Sequence, residues 1–359
     1  MQQLLPIKIT KLFNLTNLGI ANEHLRFAKT KMESYKYISV LEIKDNSFKV
    51  AIIDLKEPEN IWRQFIKADS AIMNPVSKII ALRSQNNLQV FDLEAKSKLK
   101  SQILDEEPLF WKWISAEELG IVTQKAVYHW KINDDSVPKL IFNIQQEENT
   151  SSQFISYQVS SDQKWCALTG LQMKELRISG ITQLYSIDKQ VSQILQSEAV
   201  SFCDFQVEGA TTKTTLLVFN LKTSETSKLH IFELGADQKH NEPKFQKIST
   251  DLIIDPQFEQ DFPVSIKISE KYSIIYLITK AGFLDIFDLQ TGTFIFRGRI
   301  SNSSIFQVVL DEFGKGFIAL NLSGDVFSVE IDEDNFISYI SDFLHNQQLA
   351  NQKINQFQN

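Results

Sequence analysis

SKIIALRSQNNLQVFDLEAKSKLK, residues Ser77–Lys100, decides how this chain folds. An apolar run (IIAL) meets a polar turn (RSQNN), a second apolar run (LQVFDL) and then a basic tail. β-branched and aromatic residues bounded by Asn, Ser and Lys mark an antiparallel hairpin. The second run recurs as VAIIDL (50–55), VYHWKI (127–132), LYSID (184–188), LHIFEL (229–234), LDIFDL (284–289) and VFSVEI (326–331). The matching residues are Ile53, Phe91, Trp130, Ile187, Phe232, Phe287 and Val329, at steps of 38, 39, 57, 45, 55 and 42 residues. Four steps lie near the ~40–45 residues of a four-stranded propeller blade, and the two longer ones leave room for loop insertions. Small sheets that cannot bury their faces alone do so when stacked around an axis. The expectation is an all-β, seven-bladed β-propeller over 1–330.

The end of the chain reads differently. Phe336, Ile337, Ile340, Phe343 and Leu344 fall at i, i+1, i+4, i+7 and i+8, one face of an amphipathic helix. Asp334 or Asn335 would cap it and Asn346 would end it. Residues 331–359 are therefore read as a short α-helical linker.

Composition narrows the function class. Of 359 residues 43% are hydrophobic, with 26 Phe but only 12 Gly and 8 Pro, which fits a well-packed core and excludes collagen-like or disordered classes. A net charge of −7 disfavours non-specific nucleic-acid binding, which needs a basic face. Cys166 and Cys203 have no paired spacing and sit in apolar runs, so a reducing compartment is expected. The start, MQQLLPIKITKLF, lacks the apolar core of a signal peptide, and no run reaches the ~18 apolar residues of a membrane span. A cytoplasmic location is the expectation.

Catalytic motifs are missing from the sequence. It holds no phosphate loop, GxSxG, HExxH, CxxC or EF-hand loop. The five histidines (His24, His129, His230, His240, His345) are far apart, and His129 and His230 sit inside strand repeats, where packing is the default role. Asp54, Asp92 and Asp288 close their repeats in register, as Asp does when it bonds backbone donors in a turn. Trp111 and Trp113 alternate in FWKWIS and read as core. The expectation is no enzyme, no cofactor and no metal.

Several stretches carry a family likeness: LLPIKI (4–9), NLTNLGI (14–20), MESYKY (32–37), ADSAIMNP (68–75), FWKWIS (110–115), AVYHW (126–130), QKWCALTG (163–170), QLYSIDKQVSQ (183–193) and DFPVSIKISEKYSIIYLITKAG (261–282). In this order, and over nearly the whole chain, they resemble the N-terminal domain of the clathrin heavy chain. The resemblance implies a seven-bladed propeller followed by a helical linker. It also implies a role in vesicle coats at coated pits, in endocytosis and vesicle transport. The partners implied are adaptor and accessory proteins with short linear motifs. Light chain and other heavy chains would be met only through legs that are not in this chain, the membrane only through adaptors, and nucleic acid not at all. Two rival readings are a structural propeller of a truncated paralogue without adaptor binding, and a propeller hydrolase with clustered axial acids or histidines.

The resemblance also implies sites. A groove for the clathrin-box motif, between the first two blades, is matched by Ile80, Gln89, Phe91, Lys96 and Lys98, with Arg63 nearby. Such a peptide is extended, with alternating apolar residues and a terminal acid. Ile80 and Phe91 would wall its pockets, Gln89 would bond its backbone, and Lys96 and Lys98, two apart on one strand face, would meet the acid. A site at the top of the propeller is matched by Phe27, Gln153, Ile155 and Leu171, and a groove between the fourth and fifth blades by Trp165, Leu184, Lys189, Val191 and Gln193. The chain departs from the pattern at Gln64 and Lys189, where arginine is usual, at Asn87, where threonine is usual, and at Phe154 and Leu171, where isoleucine is usual. At a fourth site Lys11 reverses the usual charge, so that site is not carried over.

Overall fold

Seven antiparallel sheets of four strands each make up the described chain in a computed structural model, which covers residues 5–44, 47–145, 152–174, 177–207, 211–223, 226–235, 244–253 and 255–358. Blade 1 spans residues 30–66, blade 2 70–103, blade 3 110–143, blade 4 153–195, blade 5 200–251 and blade 6 263–299. Within these six, strand order follows chain order. Blade 7 differs. Its strands Ile305–Leu310, Gly316–Asn321 and Asp325–Ile331 are completed by Ile7–Asn14, which pairs with Asp325–Ile331 from Ile7↔Ile331 to Asn14↔Asp325. The N-terminus thereby closes the ring.

The recurring motif marks the third strand of every blade. Ile53, Phe91, Trp130, Phe232, Phe287 and Val329 lie in those strands, and Ile187 follows Arg177–Ser186 directly. Each of the seven belongs to an apolar cluster shared with the preceding blade, and the seven clusters correspond to the seven seams. The repeat is thus the side chain each blade offers to its neighbour. The 57-residue step contains the ten-residue strands Trp165–Lys174 and Arg177–Ser186, and the 55-residue step contains the short 3₁₀ turn Pro256–Phe258.

The aspartates act as turn residues. Asp54 Oδ1 accepts the Lys56 amide at 2.9 Å, Asp92 Oδ1 accepts those of Glu94 and Ala95 at 2.8 and 2.9 Å, and Asp288 Oδ2 accepts that of Thr291 at 2.7 Å. Trp111 and Trp113 are buried in the seam between blades 2 and 3, and the Trp111 indole donates to Ser70 Oγ at 2.9 Å. His129 and His230 are buried, as are the thiols Cys166 and Cys203, whose pKa values burial pushes up, that of Cys166 to about 11. His240 lies outside the described residues.

Helix α1 (Glu333–Ser338) is followed by a π-turn, Tyr339–Phe343, and helix α2 (Gln347–Gln358). The cap of α1 is Asp332, whose carboxylate accepts the Asn335 amide; Asp334 lies instead in the first turn, where its charge suits the helix dipole. The wider π-turn breaks the 3.6-residue period. Phe336 and Ile340 are buried, whereas Phe343 turns outward and stacks on Tyr339 at 4.9 Å. Asn346 opens α2 rather than only ending the first helix, since its Oδ1 accepts the Leu349 amide at 3.0 Å. The two helices and the π-turn between them dock on the apolar cluster of blades 6 and 7 through Phe336, Ile340, Leu349 and Ala350. No helix among the described residues is long and apolar enough to cross a membrane.

Candidate functional site

The repeat residues are not equally covered. Ile53, Trp130, Phe287 and Val329 are sealed in their seams, while Phe91, Ile187 and Phe232 are only half-buried. Open seams therefore lie between blades 1 and 2, 3 and 4, and 4 and 5. The first holds a cleft of about 340 Å³ lined by Tyr37, Ile52, Trp62, Met73, Lys78 and Leu93 among others. The second holds one of about 610 Å³ that includes His129, Val137, Ile141 and Ile187.

Strand parity sets the walls of the seam between blades 1 and 2. On the outer strand Trp62–Ile66 of blade 1, Trp62 pairs with Ile52 and Gln64 with Val50, and both partners belong to the cluster facing blade 2. Trp62, Gln64 and Ile66 thus share the groove side. Across from them, Phe91 pairs with Ile80 and Lys98, and Gln89 with Leu82. Phe91 and Gln89 are half-buried, and Lys98 is exposed at the rim.

Three expectations for this groove need correction. Arg63 pairs with Ala51, whose cluster faces blade 7, and its guanidinium sits 3.2 Å from Glu42 Oε2. A period of two therefore puts it on the opposite face of blade 1. Ile80 is only 2% exposed, so it supports Phe91 from beneath instead of walling a pocket. Lys96 is not on the strand with Lys98. It occupies the turn before Ser97–Ile103 with φ +51°, a left-handed conformation, though it remains exposed. Trp62 and Ile66 were missed in the sequence. Period two in WRQFI groups them with Gln64, but only the pairing with Ile52, Val50 and Phe48 tells that this set faces blade 2.

The top-site residues come together. Phe27, Gln153, Ile155 and Leu171 all line one axial cavity of about 230 Å³, alongside Phe262, Val264 and Lys267. Phe27 lies 6.5 Å from the Phe110 ring in parallel stacking, and the Lys31 ammonium sits 3.9 Å from the Phe27 centroid and 5.9 Å from that of Phe110. Ile155 falls at a bulge between Phe154 and Ser156. Phe154 itself is buried in the seam between blades 3 and 4.

In the groove between blades 4 and 5, Trp165 and Val191 both align with Ser186, and Gln193 pairs with Leu184. Alternation places Trp165, Leu184, Val191 and Gln193 toward blade 5, where Phe232 and Leu234 face them. Leu184 is 3% exposed and belongs to the core beneath the groove, a correction to its expected role; Val191 and Gln193 are exposed. Lys189 lies in the exposed turn before Val191–Leu195. Lys11, on the closing strand, pairs with Asp325 at 2.6 Å.

Fold and surface define a closed seven-bladed propeller with accessible seams. A chain in "Crystal Structure of Mitotic Checkpoint Complex" has a TM-score of 0.59 at 11% identity, covering 92% of this chain and 95% of that one, which is a likeness of fold alone. No family model matches the sequence. It is 41% identical over 350 residues to the clathrin heavy chain of Drosophila melanogaster and 39% identical over 350 residues to clathrin heavy chain 2 of Homo sapiens, covering 98% of this chain in each case. A clathrin heavy chain of Dictyostelium discoideum is 39% identical over 348 residues. The chain belongs to the clathrin heavy chain family, as a homologue of the N-terminal ~350 residues of those proteins. It spans about a fifth of the length of these relatives, 21% for the first two.

Proposed function

We propose that this chain is a non-enzymatic vesicle-coat propeller that binds short linear motifs of adaptor proteins and so links a coat to membranes through those adaptors. Its place is the cytoplasm, peripheral on coated pits and vesicles, with residues 331–359 leading from the propeller toward the rest of a coat protein. The observation that carries this reading is the open seam between blades 1 and 2, with exposed Trp62 on its blade 1 side and half-buried Phe91, paired with Lys98, on its blade 2 side. An extended peptide would lay alternate apolar side chains between the two aromatic rings and bring its terminal acid to Lys98, with Lys96 within the same rim. The axial mouth and the groove between blades 4 and 5 serve as secondary sites.

Burying about three apolar side chains gives roughly 4.5–9 kcal/mol. Ordering the peptide and losing its overall freedom costs roughly 4 kcal/mol or more. Single motifs then bind at about millimolar to tens of micromolar, and useful retention needs several motifs per adaptor.

The test is calorimetric titration of a clathrin-box peptide. Saturable binding is expected, weakened at least about tenfold by Gln89→Ala combined with Lys98→Glu, since the second change reverses a charge at the acid's position. Binding that does not saturate, or that ignores both substitutions, rejects the groove. A second reading, a structural propeller without adaptor binding, draws on Gln64, which leaves a neutral amide on the blade 1 wall opposite Gln89. The same titration separates the two.

A further inference from the structure

The inner strands of three blades aim lysines at the propeller axis. Lys31 ends the inner strand of blade 1, Lys112 lies in Phe110–Trp113 of blade 3, and Lys267 lies in Pro263–Ser269 of blade 6. Lys112 and Lys267 both line the axial cavity. One carboxylate, Glu33, faces all three and is itself held by the Trp113 amide at 3.2 Å. Among the described residues, no ion pair or hydrogen bond satisfies the Nζ of Lys112 or Lys267, and that of Lys31 has only the Phe27 and Phe110 rings.

Like charges gathered in a low-dielectric space repel, and burial adds to the cost of each. The result is visible at the lysines. Burial, with Lys112 adding repulsion, pushes Lys267 down to about 7; burial, with Lys112 and Arg83 adding repulsion, pushes Lys31 down to about 8. The remaining charged groups on the cavity wall are Lys280, at the rim, and Glu198, which already accepts the Asn220 amide.

We propose that the axial cavity binds a small multivalent phosphate-class anion between Lys112 and Lys267 on its wall, with Lys31, whose ammonium lies 3.9 Å from the ring of the wall residue Phe27, adding its charge from behind. Ammonium groups are compact point charges suited to phosphate oxygens approached from several directions. A multivalent anion answers three ammonium groups, whereas one peptide carboxylate answers one. The cavity, at about 230 Å³, far exceeds the roughly 10–15 Å³ a single water requires. Lys112 and Lys267 are half-buried in the cavity wall, away from the outer surface of the blades. That placement favours a free solute over a lipid headgroup fixed at a membrane surface. The site does not depend on any peptide occupying the mouth or the seams.

Inorganic tripolyphosphate titrated into the 359-residue chain is the test. Saturable one-site binding at pH 7 is expected, with proton uptake, because the anion raises the lowered pKa values of Lys267 and Lys31. Affinity should fall at least about tenfold between pH 6.5 and 9, as Lys267 and Lys31 lose their protons. Lys112→Gln with Lys267→Gln should cost at least about a hundredfold in affinity and raise the melting temperature by relieving repulsion, while clathrin-box titration stays unchanged. Should the double variant fold poorly, Lys267→Gln alone should still weaken binding about tenfold. Unsaturable heats, or wild-type affinity in a folded variant, would overturn the site.

Discussion

His129 shows how a single residue answers to its seam. Its Nε2 lies 2.6 Å from the Tyr157 hydroxyl across the boundary between blades 3 and 4, and it is 9% exposed. Burial first, and the Lys139 charge second, push its pKa down to about 4. The folded protein thus holds a neutral imidazole, while the unfolded chain protonates near pH 6.5. Stability from this residue is complete above about pH 6.5, declines as pH falls toward 4, and changes no further below that. The whole effect is at most about 3 kcal/mol. Urea unfolding of the wild type and His129→Gln between pH 7 and 4 reads it directly. The variant should lose less stability on acidification, and equal slopes would show that His129 does not titrate as stated.

At the scale of elements, α2 is held by a buried ion pair. Lys353 Nζ contacts Asp288 Oδ1 at 2.5 Å, both side chains are fully buried, and the ammonium also donates to the carbonyls of Tyr272 and Ser273 at 2.9 and 3.0 Å. Burial lowers the Lys353 pKa, and Asp288 pulls it back up. Lys353→Met strands the Asp288 charge and should cost about 3–5 kcal/mol, with loss of amide protection along α2. Adding Asp288→Asn keeps an acceptor for Thr291 and removes the stranded charge, so the double variant should recover much of that loss; a double variant as unstable as the single would refute the pairing. This contact was not legible in the sequence, because a lysine in a polar helix gives no sign that its head enters a propeller seam. The third strands were legible, since their apolar period survives in every blade and even the Asp at their ends reports the turn. What periodicity could not give was the side of the sheet: Arg63 and Gln64 differ by one residue, and only the pairing of Val50 and Ala51 tells which faces blade 2. The family resemblance puts Ile80 and Leu184 in the grooves, and the sequence pattern could not correct it, because it describes a core residue and the half-covered one above it alike.

For the whole molecule, the closing strand decides whether seven wedges form one body. Ile7–Asn14 is contributed from the opposite end of the chain to the rest of blade 7 and is fixed by its ladder, by Asn14 Nδ2 to Asp325 Oδ1 at 2.7 Å, and by the Lys11–Asp325 pair. Without it Asp325–Ile331 becomes an open edge with unpaired backbone groups, and blade 1 loses its covalent link to blade 7 through Leu15 and Ile20, both buried in their shared seam. A chain starting at residue 15 keeps those two side chains but lacks the ladder. It should unfold at a lower denaturant concentration than the intact chain and with a smaller m-value, because the ring no longer melts as a unit. A peptide of residues 5–14 supplied in excess should pair with the vacant edge and move the transition back toward the intact value, as strand addition does elsewhere. If the shortened chain unfolds as the intact one does, the ring is held by its apolar seams alone and the N-terminal strand is only a cover.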